Sequence, residues 1–235
     1  MKLAVVSDIH GNLDAFKKAT ADAEARGADK IVCLGDLCGG GPNSLECVDW
    51  AMKLRDEGKL EVCLLGNCDQ ASFFDAEMFG RDAENAVFWS RERVKETLEP
   101  LAAERWDFWN EAPRFYKKGD WLFVHGSPRC PLDEYVLADD VVDAEKMGKL
   151  FALTPRYAFL GHSHVPGVFV DEGGGKYSYF SPSQLDGGVF PLGERKLMIN
   201  VGSVGQSRDD DARSCYVFVN HEENGADNEV AFIYL

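Results

Sequence analysis

The chain is sparing in several residue types, and each scarcity removes a class of answer. It has five histidines in 235 residues, nine prolines, and 25 basic residues against 40 acidic ones. Its seven cysteines are odd in number, scattered, and never spaced as C-x-x-C. That excludes a zinc ribbon or thioredoxin-type motif and speaks against a disulfide framework, so a reducing, cytoplasmic setting is expected. Cys33, Cys47 and Cys63 fall in apolar patterns and read as small buried side chains. No apolar run approaches the roughly 18 residues of a membrane span. Met1 leads directly into an apolar segment, so no signal peptide is expected. The formal charge of −15 repels polyanions at long range and weighs against a surface for duplex nucleic acid. A small phosphate ester stays possible, because bound cations reverse a local field. No internal repeat and no change in composition divides the chain, so one domain spanning 1–235 is expected.

Short apolar runs rich in branched side chains predict strands at Leu3–Val6, Lys30–Leu34, Leu60–Leu65, Trp121–Val124 and Tyr157–Leu160. Further strands are predicted at 167–170, 177–180, 196–201, 215–220 and 229–235. Leu13–Arg26 has an apolar face at helical spacing and stops at Gly27. A second helix is predicted from Asn43 or Ser44 to about Asp56, and another from about Asp139 to Leu153. From about 70 to 120, aromatics interleave with charges, predicting two or three helices with one apolar face. Phe73, Phe74, Phe79, Phe88, Trp89, Trp106, Phe108 and Trp109 belong to this stripe. Core or subunit packing, the latter as a homodimer contact, is its plainer reading, with a ligand-stacking role or a lid as the alternatives.

Five of the predicted strands end in polar signatures: Asp8 and His10, Asp36, Asn67, His125, then His162 and His164. Four of the five histidines are among them. Alternate side chains of an extended or gently turning segment point the same way, which lets Asp8 and His10 aim at one point. Ligands of open α/β sheets gather where strand carboxyl ends converge. Singly, each residue has a bland reading: a hydrogen-bonded histidine, or an aspartate or asparagine making a turn. Jointly they describe a metal site with mixed oxygen and nitrogen donors, suited to manganese, iron, zinc, cobalt or nickel rather than magnesium or calcium.

With these motifs, Asp8-Ile-His10, Gly35-Asp36, Gly66-Asn67-x-Asp69, Val124-His125-Gly126 and Gly161-His162-Ser163-His164, the chain resembles the calcineurin-like metallophosphoesterase superfamily. Gly39–Pro42, Gly126–Arg129 and Asn200–Arg208 resemble its small prokaryotic phosphodiesterase branch. The resemblance implies a two-sheet α/β sandwich flanked by helices, in four αββα layers. It implies two divalent transition-metal ions, manganese first among the candidates. Asp8, His10, Asp36 and His164 would hold one ion; Asp36, Asn67, His125 and His162 would hold the other, with Asp36 shared. The implied activity is phosphoester hydrolysis by direct attack of a hydroxide held between the metals, on phosphodiesters, nucleotides or other small phosphoesters. A phosphomonoesterase, or an inactive scaffold of the same fold, is the alternative.

The chain departs from this family in its third motif, where most members carry histidine and Cys68 stands here. The resemblance places that position at the phosphate, with Asp69 beside it in support, so Asn67, Cys68 and Asp69 join Asp36 as candidate catalytic residues. A thiol is a weaker acid catalyst than imidazolium, so esters with good leaving groups are expected to be preferred. A small side chain with no chemical role is the other reading of Cys68. Arg129 and Arg208 follow motif-like turns and are candidate phosphate clamps, with surface ion pairs as the alternative. The spacing of Gly39-Gly-Gly41 does not fit a dinucleotide-binding turn.

Overall fold

The structure is a computed structural model and describes residues 1–73, 103–222 and 228–235. Strands β1 (Lys2–Val6), β2 (Lys30–Cys33) and β3 (Leu60–Cys63) pair in parallel, joined by helices α1 (Leu13–Ala25) and α2 (Ser44–Asp56). The short α3 (Asn67–Phe73) follows β3, and α4 (Ala103–Glu111) leads to β4 (Phe115–Lys118) and β5 (Trp121–Val124). Then come α5 (Ala144–Leu153), β6 (Tyr157–Leu160), β7 (Gly167–Gly173), β8 (Lys176–Phe180), β9 (Val189–Pro191), β10 (Leu197–Asn200), β11 (Cys215–Asn220) and β12 (Glu229–Tyr234).

These strands make two six-stranded mixed sheets, ordered β3-β2-β1-β11-β12-β9 and β4-β5-β6-β10-β7-β8. The period-2 alternation of the first strand shows how they stack. Leu3 and Val5 face Phe123, Phe159, Val168 and Ile199 of the other sheet across the central core. Ala4 and Val6 face the opposite way, onto Phe16 and Ala19 of α1 and Val48 and Ala51 of α2. On the far side, Leu122, Ala158 and Met198 pack with Met147 and Leu150 of α5. The result is the expected αββα sandwich.

Some element expectations fail. Phe115–Lys118 is a strand, not helix, and pairs antiparallel with β5. Val189–Pro191 is a further strand that apolar patterning did not mark, closing an edge against β12. The helix expected from Asp139 begins at Ala144, because the Asp143 carboxylate caps it at the Lys146 N–H and a 3-10 turn (Ala138–Val142) precedes it. Phe108 and Trp109 of α4 are buried in the core beside α2, while Trp106 is partly exposed. Phe74, Phe79, Phe88 and Trp89, half of the aromatic stripe, lie outside the described residues. Among the described residues no helix is long and apolar enough to cross a membrane.

Candidate metal centre

The parallel strands of both sheets deliver their carboxyl ends to the same end of the sandwich. Asp8 and His10 follow β1, Asp36 follows β2, and Asn67 opens α3 just after β3. His125 follows β5, while His162 and His164 follow β6 in the other sheet. The donors therefore converge from two stacked sheets, not from the edge of one open sheet, since the sandwich core brings β1 and β6 face to face. Nor does strand alternation aim them. Asp8, His10, Asp36, His162 and His164 all have left-handed backbone, with φ of 55, 49, 54, 64 and 61°. They are the positive-φ non-glycine residues among the described positions, and each such conformer costs roughly 1–2 kcal/mol. Such strain persists where surrounding contacts over-determine the turn, and it clusters at functional sites.

Those contacts are explicit. The Ile9 and His10 N–H groups donate to the Asp36 carbonyl at 2.8 and 2.9 Å, binding the first turn to the second. The Asp69 carboxylate accepts N–H bonds from Asp36 (2.7 Å), Cys38 (2.9 Å) and Gly66 (3.1 Å), and so ties β2 and β3 together below the site. The Cys68 N–H holds the Asp36 carboxylate from the other side at 2.8 Å. The His162 N–H donates to Asp8 Oδ2 at 2.9 Å, joining the two sheets. Gly66 is the close-approach position here. A Cβ there would lie 2.1 Å from Asp36 Oδ1.

Asp8, His10, Asp36, Asp69, His125, His162 and His164 are each at most 7% exposed. His164 Nε2 lies 3.1 Å from Asp8 Oδ1 and 3.0 Å from His10 Nε2. His10 Nε2 is 3.7 Å from both Asp8 Oδ1 and Asp36 Oδ2. His125 Nε2 is 3.5 Å from Asp36 Oδ2, 2.9 Å from Asn67 Oδ1 and 4.0 Å from Asp8 Oδ1. Donor atoms gather in three overlapping groups: Asp8 with His10 and His164, Asp8 with Asp36 and His125, and His10 with Asp36 and Cys68. Asp8 thus reaches both halves of the site, while Cys68 faces the Asp36 side.

Two carbonyls select the ring tautomers. A carbonyl only accepts, so His164 donates from Nδ1 to Gln206 O (2.5 Å) and leaves the Nε2 lone pair facing His10 and Asp8. His162 donates from Nε2 to Asp133 O (3.0 Å), leaving Nδ1 as its free donor atom. Tyr135 stacks on the His162 ring with centroids 3.9 Å apart. Asp133, Tyr135 and Gln206 are site residues that sequence reasoning missed. Two of them act through main-chain oxygens, which leave no signature in side-chain type.

The electrostatics of this cluster call for a cation. Burial pushes the Asp8 carboxyl up, but the surrounding histidines, His164 foremost, hold it well below the usual range. Burial lowers the His10 imidazole, and Asp8 and Asp36 more than reverse it. Burial, then His125, press His162 down to about 4. Burial, then Asp36, push Asp69 up to about 7 and Cys68 well above the thiol range. Asp8 Oδ1 and His125 Nδ1 are buried without a conventional hydrogen bond. Converging lone pairs and carboxylates in a dry pocket are costly unless positive charge sits between them. The donor set fits divalent transition ions.

The two candidate clamps differ. The Arg129 guanidinium is paired with Glu134, which also accepts from Ser127. Arg208 lies near enough to His10 for its charge to oppose protonation there. His221, the fifth histidine, packs edge-on against Trp121.

A domain model described as the calcineurin-like phosphoesterase superfamily domain matches residues 1–224. An uncharacterized protein of Methanocaldococcus jannaschii is 31% identical over 228 residues, which cover 94% of this chain and 83% of that protein. A crystal structure of a metallophosphoesterase from Sphaerobacter thermophilus matches at a TM-score of 0.76 and 30% identity, over 100% of this chain and 88% of that one. A hypothetical protein from Pyrococcus horikoshii OT3 shares the fold at a TM-score of 0.69 and 16% identity, over 100% of this chain and 87% of that one. On the domain match, these relatives and the convergent buried donors, the chain belongs to the calcineurin-like phosphoesterase superfamily.

Proposed function

We propose that the protein hydrolyses small phosphoesters, phosphodiesters in particular, at a two-metal centre. The observation that carries this reading is the convergence of Asp8, His10, Asp36, His125 and His164 within hydrogen-bond or ligand reach in a buried pocket. Asp8, His10, Asp36 and His164 would hold one ion, and Asp36, Asn67, His125 and His162 the other, with Asp36 between them. Manganese, iron, zinc, cobalt and nickel all suit these donors. When bound, such ions draw charge from the non-bridging phosphoryl oxygens and make water a stronger nucleophile.

The chain's own residues supply the rest. Asp69, through three backbone N–H groups, holds the Asp36 and Asn67 turns at fixed separation. The Gln206 carbonyl holds the His164 proton on Nδ1, keeping Nε2 free toward Asp8 and His10, and the Asp133 carbonyl holds the His162 proton on Nε2. Water adds to phosphorus, one P–O bond breaks, and the departing oxygen takes a proton. Cys68, whose sulfur gathers with His10 and Asp36, would give that proton. Its thiol is kept protonated by burial and by Asp36, and it is a weaker donor than an imidazolium. Esters of acidic alcohols and phenols, which leave without help, are therefore the preferred substrates. Arg208 would contact a phosphoryl oxygen, whereas Arg129 would first have to leave Glu134.

The test is metal content per chain after reconstitution with each ion, together with 4-nitrophenol release from bis(4-nitrophenyl) phosphate and 4-nitrophenyl phosphate. The diester is expected to turn over faster. Asp36→Asn is expected to lose at least one metal ion and most activity; full turnover with both ions retained would overturn the assignment.

A further inference from the structure

At the end of the sandwich that carries the candidate centre lies a cavity of about 670 Å³, entered by the residues that follow His164 and Gln206. It is far larger than a phosphoryl group and falls in the roughly 300–1,000 Å³ range of small-molecule sites. One loop connects the two features. Its first half is bound to the centre: Val204 and Gly205 N–H donate to the Ser7 and Asp8 carbonyls (both 3.0 Å), Ser203 Oγ also donates to Asp8 O (2.8 Å), and Gln206 O receives the His164 proton. Its second half, from Arg208 onward, lines the cavity. Val165, which follows His164 directly, lines it too. Arg208 thus stands at the junction, in the cavity wall and two residues after Gln206, whose carbonyl holds His164.

The wall has two chemistries. Tyr179, Phe232 and Tyr234 supply aromatic surface. The Tyr179 hydroxyl donates to Pro166 O at 2.8 Å and the Tyr234 hydroxyl to Asp209 Oδ2 at 3.3 Å, so these rings are held in place before any ligand arrives. The polar part is acidic. Asp211 is taken by Arg213 and Asp209 by Ser207 and Tyr234, which leaves Asp210 to receive donors from a ligand. The Arg213 guanidinium lies over the Tyr234 ring, 4.9 Å from its centroid, and Tyr179 rests on Phe169, so the flat surface open to a planar ring is that of Arg213 and the cavity side of Tyr179, with a carboxylate beside it to accept amide or amino protons or sugar hydroxyls. A polyanion is disfavoured in such surroundings, so the ligand is small.

We propose that this cavity is the subsite for the nucleoside arm of a phosphodiester whose phosphoryl group sits at the candidate metal centre, with Arg208 between them. The inference rests on the hydrolase reading above and adds the place and chemistry of the second ester arm. Two esters with one leaving group test it: thymidine 5′-(4-nitrophenyl phosphate) and methyl 4-nitrophenyl phosphate. In each, water adds to phosphorus, the P–O bond to the aryl oxygen breaks, and 4-nitrophenol is released. Only the arm that stays on phosphorus differs. The nucleoside ester is expected to have a kcat/KM at least about tenfold higher, the size of one base–aromatic stack. Ser183 lines the cavity with an exposed side chain, so Ser183→Trp fills it and is expected to bring the ratio close to one. Equal kcat/KM for the two esters on the native protein would overturn the subsite and leave the hydrolase reading intact. No turnover of either ester with any of the five metals would overturn both.

Discussion

At the scale of single residues, the site turns on how each ionisable group is held, and two substitutions report on that directly. Cys68 stands where the resemblance implies an imidazole, so Cys68→His is expected to raise turnover of alkyl diesters by about 10²-fold or more while changing aryl esters little, given the usual worth of general-acid help. Leaving-group-dependent rates check it, and equal effects on both ester types would reduce Cys68 to a space-filling side chain. His162 reports on burial. It titrates near 6.5 when unfolded and at about 4 when folded, because of burial and then His125. Between those pH values the unfolded chain binds the extra proton, so in the metal-free protein this residue's contribution to stability falls as pH falls. Asp69, raised to about 7 by burial and Asp36, contributes with the opposite slope and masks part of the effect in the native chain alone. Denaturant unfolding of native and His162→Asn protein isolates the difference: relative to native, the variant should gain stability on going from about pH 7 to about pH 5. A pH-independent difference would mean His162 is not held neutral. The donors that gather in the described structure, Asp8, His10, Asp36, His125 and His164, were legible in the sequence as candidates, because carboxylates and imidazoles at strand ends are conspicuous against so few histidines; His162 falls in none of the donor groups. Asp133, Tyr135 and Gln206 were not legible. A carbonyl that fixes a tautomer belongs to the backbone and carries no residue signature, and Tyr135 is one aromatic among many until its ring is seen on His162.

At the scale of elements, the patterned strands and helices were readable wherever one face is buried, and the misses share a cause. β4 reads Phe-Tyr-Lys-Lys and β9 reads Val-Phe-Pro; both are short edge strands, where lysine and proline guard an open side and blur alternation. Turns were read as punctuation, yet they are where the backbone is most demanding. Gly205 shows this. A Cβ there would sit 1.8 Å from the Ile9 carbonyl oxygen, a backbone atom that cannot rotate away. Gly205→Ala is expected to cost about 1–3 kcal/mol by overpacking. In a chain of this size that lowers Tm by roughly 2–12 °C. Gly193, whose Cβ would meet nothing within 4 Å, is the control, and Gly193→Ala should melt close to native. Equal melting of the two variants would show that the loop from Val201 to Ser214 yields where its contacts say it is fixed.

At the scale of the whole molecule, a strongly acidic protein places its candidate site for an anion at one end of a sandwich. The formal charge of −15 produces a repulsive field for phosphate esters in bulk solvent. Bound dications would invert that field only within their own surroundings, since exposed charges are screened beyond a Debye length of about 8–10 Å at physiological salt. Approach is therefore opposed at long range and favoured at short range. Raising ionic strength shortens the reach of the repulsion first, because the attractive charges are buried and less accessible to salt. For the metal-loaded protein, KM for an aryl phosphate ester is accordingly expected to fall between about 0.01 and about 0.15 M sodium chloride. The change should be larger for a dianionic monoester than for a monoanionic diester, because the repulsion scales with substrate charge. Steady-state kinetics at fixed metal occupancy measure both. A KM that rises with salt for both esters would mean that local positive charge, from Arg208 and the ions, already governs encounter and outweighs the acidity of the remaining surface.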